Sequence, residues 1–326
     1  MTALPCPERL LSAHGAEQVK AAAEKLLGDH GSATNPSIFG ALDEATKWLD
    51  DSTAHTFRPE FTAAGLFVVR GLEIDDSSLP PTPLHWSEAH DAGALWDVML
   101  LIITRLMGRP IAWAGQQDGR AVNNIVPAPG HEHEQTGASS SALLNPHTED
   151  AFHPQRAHLL LLLCMRNHDR VATTASSVRR LRLSAADLAE LQRPVLPILP
   201  DDAYTTSPEF TENPPAVSTL WGPPEELTLR FDPAYTPLEK ADGRYRAAYR
   251  RLEAGLAEVS TGLVLEPGDV LVVDNDVTVH GRVPFKARYD GTDRWLKRSL
   301  ARIPGQQGRH PSEQEEHGYG QAAIKW

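Results

Sequence analysis

Apolar side chains recur at helical spacing through the first hundred residues of the chain. One predicted helix ends at Gly28, and its buried face is formed by Val19, Ala22, Ala23, Leu26 and Leu27. Two more helices are predicted over residues 39–49 and 87–107. Between them, the β-branched and aromatic segment 64–72 predicts a short buried strand. Residues 1–110 are therefore predicted to be mainly helical.

The pattern changes at Ile111, where short apolar segments begin to alternate with Gly, Pro and Asn. Many short strands are predicted here, interrupted by two helices over residues 184–192 and 243–259. A strand-rich region with few helices favours a β-sandwich or a jelly roll. The predicted fold class is therefore mainly β with flanking helices, with the jelly-roll core over residues 111–304.

Two long segments show little periodicity, residues 127–141 and the proline-rich residues 200–226. Loops of this length are usually functional or disordered, and we interpret 200–226 as a lid that includes Trp221. Residues 305–326 are predicted to form a C-terminal tail that is mobile over its charged first half. Because no linker composition interrupts residues 1–304, they are interpreted as one domain.

Charge and composition narrow the classes of function. The 43 Asp and Glu outnumber the 31 Lys and Arg, which gives a formal net charge of −12 and disfavours a nucleic-acid partner or an anionic membrane surface. The two cysteines, Cys6 and Cys164, provide no disulfide framework, which fits a reducing compartment. No apolar stretch approaches the length of a membrane span, and no secretory signal is visible. A cytoplasmic protein is predicted, while the oligomeric state stays open.

Candidate metal ligands lie in two segments. NPHTEDAFHP, residues 145–154, sets His147 and Glu149 two positions apart, so both side chains would point to one face of a strand. GDVLVVDNDVTVHGRVPF carries His280 just beyond an apolar strand. Two imidazoles and one carboxylate form the facial triad that suits Fe(II) and leaves coordination positions open. A closed structural zinc site leaves no such positions, although a zinc hydrolase remains an alternative.

A third segment, ARYDGTDRWLKRSLARI, supplies Arg294 and Arg298. A guanidinium can hold a carboxylate bidentately, and a dicarboxylic 2-oxo acid bound to iron at one end needs such a partner at its other end. Alternatively, both arginines are surface cations in ordinary salt bridges.

Taken together, the three segments resemble the clavaminate synthase-like branch of the Fe(II)/2-oxoglutarate-dependent oxygenases, which is related to TauD. The resemblance covers residues 64–303 and is strongest to the hydroxylases of free L-arginine and L-lysine. It implies a double-stranded β-helix, or jelly-roll, core. It also implies that the protein is an enzyme that uses Fe(II), 2-oxoglutarate and O2.

The resemblance assigns roles at the metal. The implied iron ligands are His147, Glu149 and His280. Arg294 would bind the distal carboxylate of 2-oxoglutarate. The family often supplies a hydroxyl to the cosubstrate from a position that matches Thr173 or Thr174, and of these Thr174 is carried forward.

Contacts to an amino-acid substrate are implied as well. Arg298 would bind the α-carboxylate, and Glu149 would contact the α-amine together with a glutamine from GQQDGRAVNNIVP. Spacing ahead of the HxE motif favours Gln116, with Gln117 as the second choice. Without the resemblance, these two glutamines would be read as ordinary amides near the end of a strand.

The far end of the substrate is where this chain departs from the arginine hydroxylases. Around LRFDPAYT those enzymes place two aspartates two residues apart, whereas here Asp232 is followed by Ala234. One carboxylate can pair with a compact ammonium, but a guanidinium fork is best matched by two acceptors. We therefore expect hydroxylation of L-lysine, at C3 rather than C4. Alternatively, Asp232 only caps a turn before Pro233.

Other functions stay open at this point. Within the class, the enzyme could hydroxylate or desaturate L-arginine, citrulline or ornithine, because hydrogen abstraction is common to both reactions. Outside it, a non-catalytic jelly-roll protein could bind an amino acid in the same cavity. His131 and His133 are interpreted as solvated or lid residues, and His158 as a core histidine.

Overall fold

The structure is a computed structural model that describes residues 6–60, 62–89, 93–204, 206, 208–306 and 309–326. Its α-helices, numbered along the described chain, are α1 (Ala13–His30), α2 (Ser37–Thr46), α3 (Asp51–Thr56), α4 (Ala94–Met107), α5 (Ala185–Leu191), α6 (Pro208–Thr211) and α7 (Gly243–Glu258). Helix α1 passes the predicted stop at Gly28 and ends at Gly31, which adopts the left-handed conformation that favours glycine.

The strands are numbered in the same way. They are β1 (Glu8–Leu10), β2 (Leu66–Arg70), β3 (Arg109–Ile111), β4 (Val122–Ile125), β5 (Leu144–His147), β6 (Leu159–Arg166), β7 (Thr173–Ser177), β8 (Leu220–Trp221), β9 (Thr228–Leu229), β10 (Thr261–Leu263), β11 (Val270–Asp274), β12 (Thr278–Arg282) and β13 (Trp295–Arg302).

Two sheets form the centre of the fold. The larger has the order β1-β2-β11-β6-β13-β3, with β4 also paired to β13. The smaller has the order β10-β7-β12-β5, and β8 pairs with β9 separately. These are the many short strands that the sequence predicts.

The apolar run in β6 shows how the core is divided. Leu161 and Leu163 belong to a cluster with the N-terminal helices, whereas Leu160 and Leu162 belong to a cluster with Ala175 of the smaller sheet. Successive residues of a strand point to opposite faces. A continuous apolar run therefore means that both faces of this strand are buried, and the second cluster connects the two sheets.

The C-terminal segment differs from the predicted mobile tail. Its described part, residues 309–326, packs against the core through ion pairs to two arginines that are almost fully buried. These pairs are Arg156 with Glu313 (2.9 Å) and Arg230 with Glu316 (2.8 Å). A buried guanidinium is costly without a counter-charge, so the acidic residues that make this segment look like a solvated tail instead hold it in place.

The proposed lid also differs in part from the prediction. Trp221 is buried in the β8–β9 pair, with the Arg156 guanidinium 5.6 Å from its ring centroid. Of the described residues in 200–226, the ones that reach the main cavity are Asp201, Asp202 and Ala203. Any lid function therefore concerns the beginning of this segment. In the ranges given above, no helix combines the length and the apolar character needed to span a membrane.

Candidate active site

The two candidate histidine ligands meet across neighbouring strands of the smaller sheet. His147 at the end of β5 is the register partner of His280 in β12, and their ring centroids are 4.5 Å apart. Gly281 permits this approach, because a Cβ atom there would lie 2.4 Å from the carbonyl oxygen of Leu144. The structure thus brings together two residues that are 133 positions apart in the sequence.

Glu149 follows β5 and completes the group. Its backbone N–H donates to Asn275 Oδ1 (2.7 Å), and Asn275 Nδ2 donates back to the Glu149 carbonyl (3.0 Å). One ligand atom from each of His147, Glu149 and His280 lies within 4.8 Å of the others. Asn275 is a positioning residue that the sequence analysis missed, although it lies in the DND segment just before His280.

The protonation states of this group suit metal binding. Burial opposes ionisation of Glu149, but Arg298 and the two imidazoles lower its carboxyl pKa to about 2. Burial, and then the neighbouring His147, lower the pKa of His280. Nδ1 of His147 lies 2.8 Å from the Asn145 carbonyl, which leaves Nε2 as the ligand nitrogen. A carboxylate and two imidazoles on one face of a cavity fit Fe(II).

These residues line a cavity of ≈ 380 Å³. Two buried arginines, Arg282 and Arg294, reach it from β12 and from the residue before β13, and we call them the basic pair. Asp201 and Asp232 reach it from the segment after α5 and from the loop after β9, and we call them the acidic pair. In the part of the chain that the structure describes, no ion pair neutralises any of these four side chains.

Arg294 is 7% exposed and donates one hydrogen bond, from Nη2 to Thr173 Oγ1 (2.8 Å). Its Nε–H has no partner within the described chain. Burial lowers the pKa of this guanidinium to about 10, so it remains charged near neutrality. A buried, charged donor with free N–H groups is a site for an anion, and a carboxylate matches its geometry.

Arg282 completes the basic pair. Burial, and then Arg294, lower its pKa to about 9. Its guanidinium donates to Ser139 Oγ (3.2 Å) and to backbone carbonyls that include Ala142 (2.9 Å). The sequence analysis did not select Arg282, although it stands two residues after His280 and so shares its strand face.

Of the two candidate threonines, Thr173 rather than Thr174 reaches the cavity. In β7, Thr173 pairs with Arg282 and faces the cavity, whereas Thr174 pairs with Gly281 on the opposite face. The prediction of Thr174 is thus corrected by one position, because adjacent strand residues point to opposite sides of the sheet.

Arg298 lies against Glu149. Its Nη1 donates to Glu149 Oε1, and its Nη2 donates to Asn123 Oδ1 (2.8 Å). It lines the same cavity as the three candidate ligands. Neither Arg294 nor Arg298 is a surface cation, so that alternative is wrong for both.

Both glutamines of GQQDG line the cavity, but they differ in whether the side-chain amide is already hydrogen-bonded to the protein. Gln117 uses both ends of its amide on the backbone of Asn124, at 3.0 and 2.9 Å. Gln116 is 7% exposed, and its side chain makes no hydrogen bond to another described residue. Gln116 is therefore the glutamine whose amide is available to a ligand.

Asp232 combines the two roles that the sequence left open. Its Oδ1 accepts from the backbone N–H groups of Ala234 (3.0 Å) and Tyr235 (3.3 Å), so it caps a turn. It also lines the cavity, and its burial raises the carboxyl pKa. Asp201, which the sequence analysis missed, is similar, since burial and then Asp150 raise its pKa to about 7. No pattern around Asp201 distinguishes it from its neighbour Asp202 in the sequence.

The other histidines considered in the sequence analysis lie outside the candidate ligand group. His158 is buried, its Nδ1 accepts from the backbone N–H of Ile303 (2.9 Å), and burial lowers its pKa to about 4, as suits a core histidine. His131 lies at the edge of the cavity and pairs with Glu134 (2.9 Å), while His133 is exposed. Neither belongs to a described group that could hold a metal.

Comparison with known proteins identifies the family. Residues 36–300 match the family described as taurine catabolism dioxygenase TauD, TfdA family. Enduracididine beta-hydroxylase from Streptomyces hygroscopicus is 37% identical over 259 residues, covering 72% of this chain and 76% of that protein. L-ornithine/L-arginine 3-hydroxylase from Catenulispora acidiphila is 32% identical over 259 residues, covering 72% of this chain and 76% of that protein. L-asparagine oxygenase from Streptomyces coelicolor is 37% identical over 257 residues, covering 75% of this chain and 73% of that protein.

Solved structures agree with this relationship. The non-heme iron oxygenase OrfP in complex with Fe, succinate and (3S)-hydroxy-L-Arg has a TM-score of 0.83 at 33% identity, covering 91% of this chain and 94% of that one. OrfP in complex with Fe and alpha-ketoglutaric acid has a TM-score of 0.80 at 34% identity, with the same coverage. Both complexes hold the iron that the resemblance implies, and the second holds the cosubstrate as well.

The predicted fold, enzyme class and cofactors are confirmed. The facing sheets are the jelly-roll core of an oxygenase, and the cavity contains a ligand set that fits iron. The chain belongs to the TauD/TfdA family and is a non-haem Fe(II)/2-oxoglutarate-dependent oxygenase of the amino-acid hydroxylase type.

Proposed function

We propose that this enzyme hydroxylates C3 of a free L-amino acid with a cationic side chain, and that L-lysine is its preferred substrate. The observation that carries the proposal is a pair of carboxylates, the partly exposed Asp201 and the buried Asp232, in a cavity that also contains Arg298 and the candidate metal ligands. Neither carboxylate has a cationic partner among the described residues, so a cation from the substrate would supply one.

At the metal, we assign His147, Glu149 and His280 as ligands. Iron, when bound with 2-oxoglutarate and O2, supplies the oxidising power that breaks an unactivated C–H bond. The protein's part is to orient the ligands and to fix which nitrogen of His147 is free to bind the metal. The Asn145 carbonyl holds the His147 ring, and Asn275 holds the backbone of Glu149.

For the cosubstrate, we assign Arg294 to the distal carboxylate and Thr173 to a supporting hydroxyl. The guanidinium is buried and already oriented by its hydrogen bond to Thr173 (2.8 Å). A carboxylate bound there would also occupy N–H groups that the protein itself leaves free.

For the substrate, we assign Arg298 to the α-carboxylate and Gln116 to the α-amine, with the Glu149 carboxylate beside it. The contact between Arg298 and Glu149 supports this arrangement, because an α-amino acid carries its opposite charges one carbon apart. The substrate's reactive carbon would then lie near the metal ligands, and its side chain would extend toward the acidic pair.

The choice of lysine rests on Asp232 and Ala234. Oδ1 of Asp232 already accepts two backbone N–H groups, which leaves Oδ2 as the acceptor with free capacity. One free oxygen matches an ammonium better than a guanidinium fork. Ala234 provides no second carboxylate.

Arginine and ornithine form the second candidate, and Asp201 is the observation that favours it. If Asp201 and Asp232 act together, they provide two carboxylates for one guanidinium despite Ala234. Two relatives are named for ornithine/arginine and for enduracididine. Their names specify hydroxylation at the β or 3 position, which supports C3 over C4 and hydroxylation over desaturation.

The test is anaerobic reconstitution with Fe(II) and 2-oxoglutarate, followed by exposure to O2 with a panel of free L-amino acids. We expect one added oxygen on lysine with one equivalent of succinate, and NMR should locate the hydroxyl at C3. A gain on arginine, ornithine or citrulline alone would reject lysine and retain the chemistry. Preference for neutral amino acids would reject the role of the acidic pair.

The metal assignment has a separate test. Glu149→Gln and His147→Ala should each lose bound iron and turnover together, while His158→Asn, which changes a core histidine outside the ligand group, should retain iron. Full iron content and turnover in either ligand variant would contradict the assignment.

A further inference from the structure

The segment that carries Asp201 follows α5, and its residues Ile198 and Tyr204 belong to a buried cluster. A single β-bridge between Leu196 and Val217 closes its two ends. Within it, Asp201, Asp202 and Ala203 reach the cavity, and we call residues 201–204 the acidic turn. Within the turn, Ala203 N donates to Asp201 Oδ1 (2.9 Å) and Tyr204 N donates to the Asp201 carbonyl (3.1 Å). Asp202, which is exposed, also meets the Tyr235 hydroxyl through its backbone N–H (3.3 Å) and its Oδ2 (3.1 Å).

Tyr204 attaches the acidic turn to the metal-binding segment. Its hydroxyl donates to Asp150 Oδ1 (2.7 Å), and Asp150 directly follows Glu149. The other carboxylate oxygen of Asp150 accepts from Trp113 Nε1 (2.6 Å). Both oxygens of Asp150 are therefore engaged by protein donors, so its role is to hold neighbouring side chains rather than to bind a ligand. Hydrogen bonds to a carboxylate are among the stronger ones in proteins.

The ring of Tyr204 is held as firmly as its hydroxyl. It is 6% exposed and packs edge-on against Phe152, with ring centroids 4.8 Å apart. A buried aromatic ring with a satisfied hydroxyl has little rotational freedom. Since Tyr204 is the last residue of the acidic turn, fixing it restricts where the Asp201 carboxylate can lie.

We propose that Tyr204 is a positioning residue that holds the Asp201 carboxylate in the cavity and so contributes to the preference for a cationic substrate. The inference rests on the proposed function, because it assigns Asp201 to the substrate's side chain. In this assignment Tyr204 acts through Asp201 and Asp150, and it is not among the described residues that line the cavity.

The first test is Tyr204→Phe, which removes only the hydroxyl. We expect the KM for the cationic amino acid to rise about tenfold, as for the loss of a hydrogen bond to a charged group. The KM for 2-oxoglutarate should change less than about twofold, because no described hydrogen bond or ion pair joins the basic pair to the turn. Tyr319→Phe is the matched control. Tyr319 also packs near Phe152 (6.0 Å), but its hydroxyl has no hydrogen-bond partner in the described chain.

A double-mutant cycle separates positioning from a general structural role. If Tyr204 acts through Asp201, then Asp201→Asn should raise the same KM, and adding Tyr204→Phe should raise it no further. An unchanged KM in Tyr204→Phe, a full additional effect in the double variant, or an equal rise in the KM for 2-oxoglutarate would each overturn the inference. If the wild-type enzyme hydroxylates no cationic amino acid, the proposed function fails, and this inference fails with it.

Discussion

The basic pair and the acidic pair occupy one cavity but satisfy their side chains in opposite ways. Among the described residues, the side chains of Arg282 and Arg294 donate only to hydroxyl and carbonyl oxygens, whereas those of Asp201 and Asp232 accept only from backbone N–H groups. Burial lowers the pKa of both arginines and raises the pKa of both aspartates. Within the described parts of the chain, each pair is therefore held by neutral dipoles and lacks a counter-charge.

This difference indicates how one cavity can distinguish two small ligands. A buried charge without a partner is costly, and a ligand of opposite charge recovers part of that cost on binding. A dicarboxylate is favoured at the basic pair and disfavoured at the acidic pair, and a cationic side chain has the reverse preference. Cosubstrate and substrate should therefore not exchange places, even though both carry a carboxylate beside a polar group.

The largest expected effect comes from removing the basic pair's principal donor. Arg294→Met should raise the KM for 2-oxoglutarate about 100-fold or more, because losing one partner of a buried charge pair costs roughly 3 kcal/mol. Steady-state kinetics at saturating amino acid would measure this. Arg251→Met, which alters a largely exposed arginine paired with Asp187, is the control. An unchanged 2-oxoglutarate requirement would move the carboxylate site elsewhere.

The corresponding change at the acidic pair is Asp232→Asn. We expect the KM for lysine to rise about 30-fold, since a charge-assisted hydrogen bond contributes roughly 2 kcal/mol. The KM for 2-oxoglutarate should not change. Norleucine, which lacks the side-chain ammonium of lysine, provides the control, and equal losses for lysine and norleucine would show that Asp232 acts only as a turn cap.

Lowering the pH should weaken substrate binding at the acidic pair and leave cosubstrate binding at the basic pair unchanged. The pKa of Asp201 in the free enzyme is about 7, raised by burial and then by Asp150 and Glu149. Below pH 7 this carboxyl binds a proton that a cationic substrate must displace, so the KM for lysine should rise by about tenfold per pH unit. Arg294, with a pKa of about 10, stays charged, so the KM for 2-oxoglutarate should be flat between pH 6 and 8. Retention of the lysine pH dependence in Asp201→Asn would reject Asp201 as its source.

The smallest expected effect comes from adding a second carboxylate beside Asp232. Ala234→Asp should shift the ratio of kcat/KM for arginine over lysine upward by about fivefold, because a guanidinium fork gains a second acceptor. Competition between the two amino acids, followed by mass, would measure the ratio. A shift toward lysine would contradict the use of Ala234 as a specificity position, and Ala234→Asn would separate charge from size.

Residues predicted from a long motif are brought together in the structure, whereas the threonine predicted from a loose alignment is off by one position. His147, Glu149, His280 and Arg294 lie in ordered segments, and all four reach one cavity. The predicted position, Thr174, is one residue away from Thr173, which faces the cavity. An alignment error of one residue within a strand moves the prediction to the opposite face of the sheet. Asp201 was missed because its segment carries no periodicity, and its only distinguishing feature is the cavity that it enters.

Charge alone also misled the interpretation of the chain's end. Residues 309–326 are acidic and polar enough to predict a tail, but Glu313 and Glu316 pair with the buried guanidinium groups of Arg156 and Arg230. Those arginines lie about 80 to 160 residues earlier in the chain. A solvated charge and a buried ion pair look alike in the sequence, because the partner is specified only by the fold.

The sequence by itself determined the chemistry of this protein. Local order and spacing decide which ligand types, donors and strands exist, and these identify a jelly-roll oxygenase that uses Fe(II) and 2-oxoglutarate. Only the tertiary structure decided which of the two threonines faces the cavity and which of the two glutamines has its amide bonded to the backbone. It also decided that Asp201 joins Asp232 and that Tyr204 reaches Asp150. Those features depend on side-chain direction and on contacts between distant segments, and burial gives them their energetic weight.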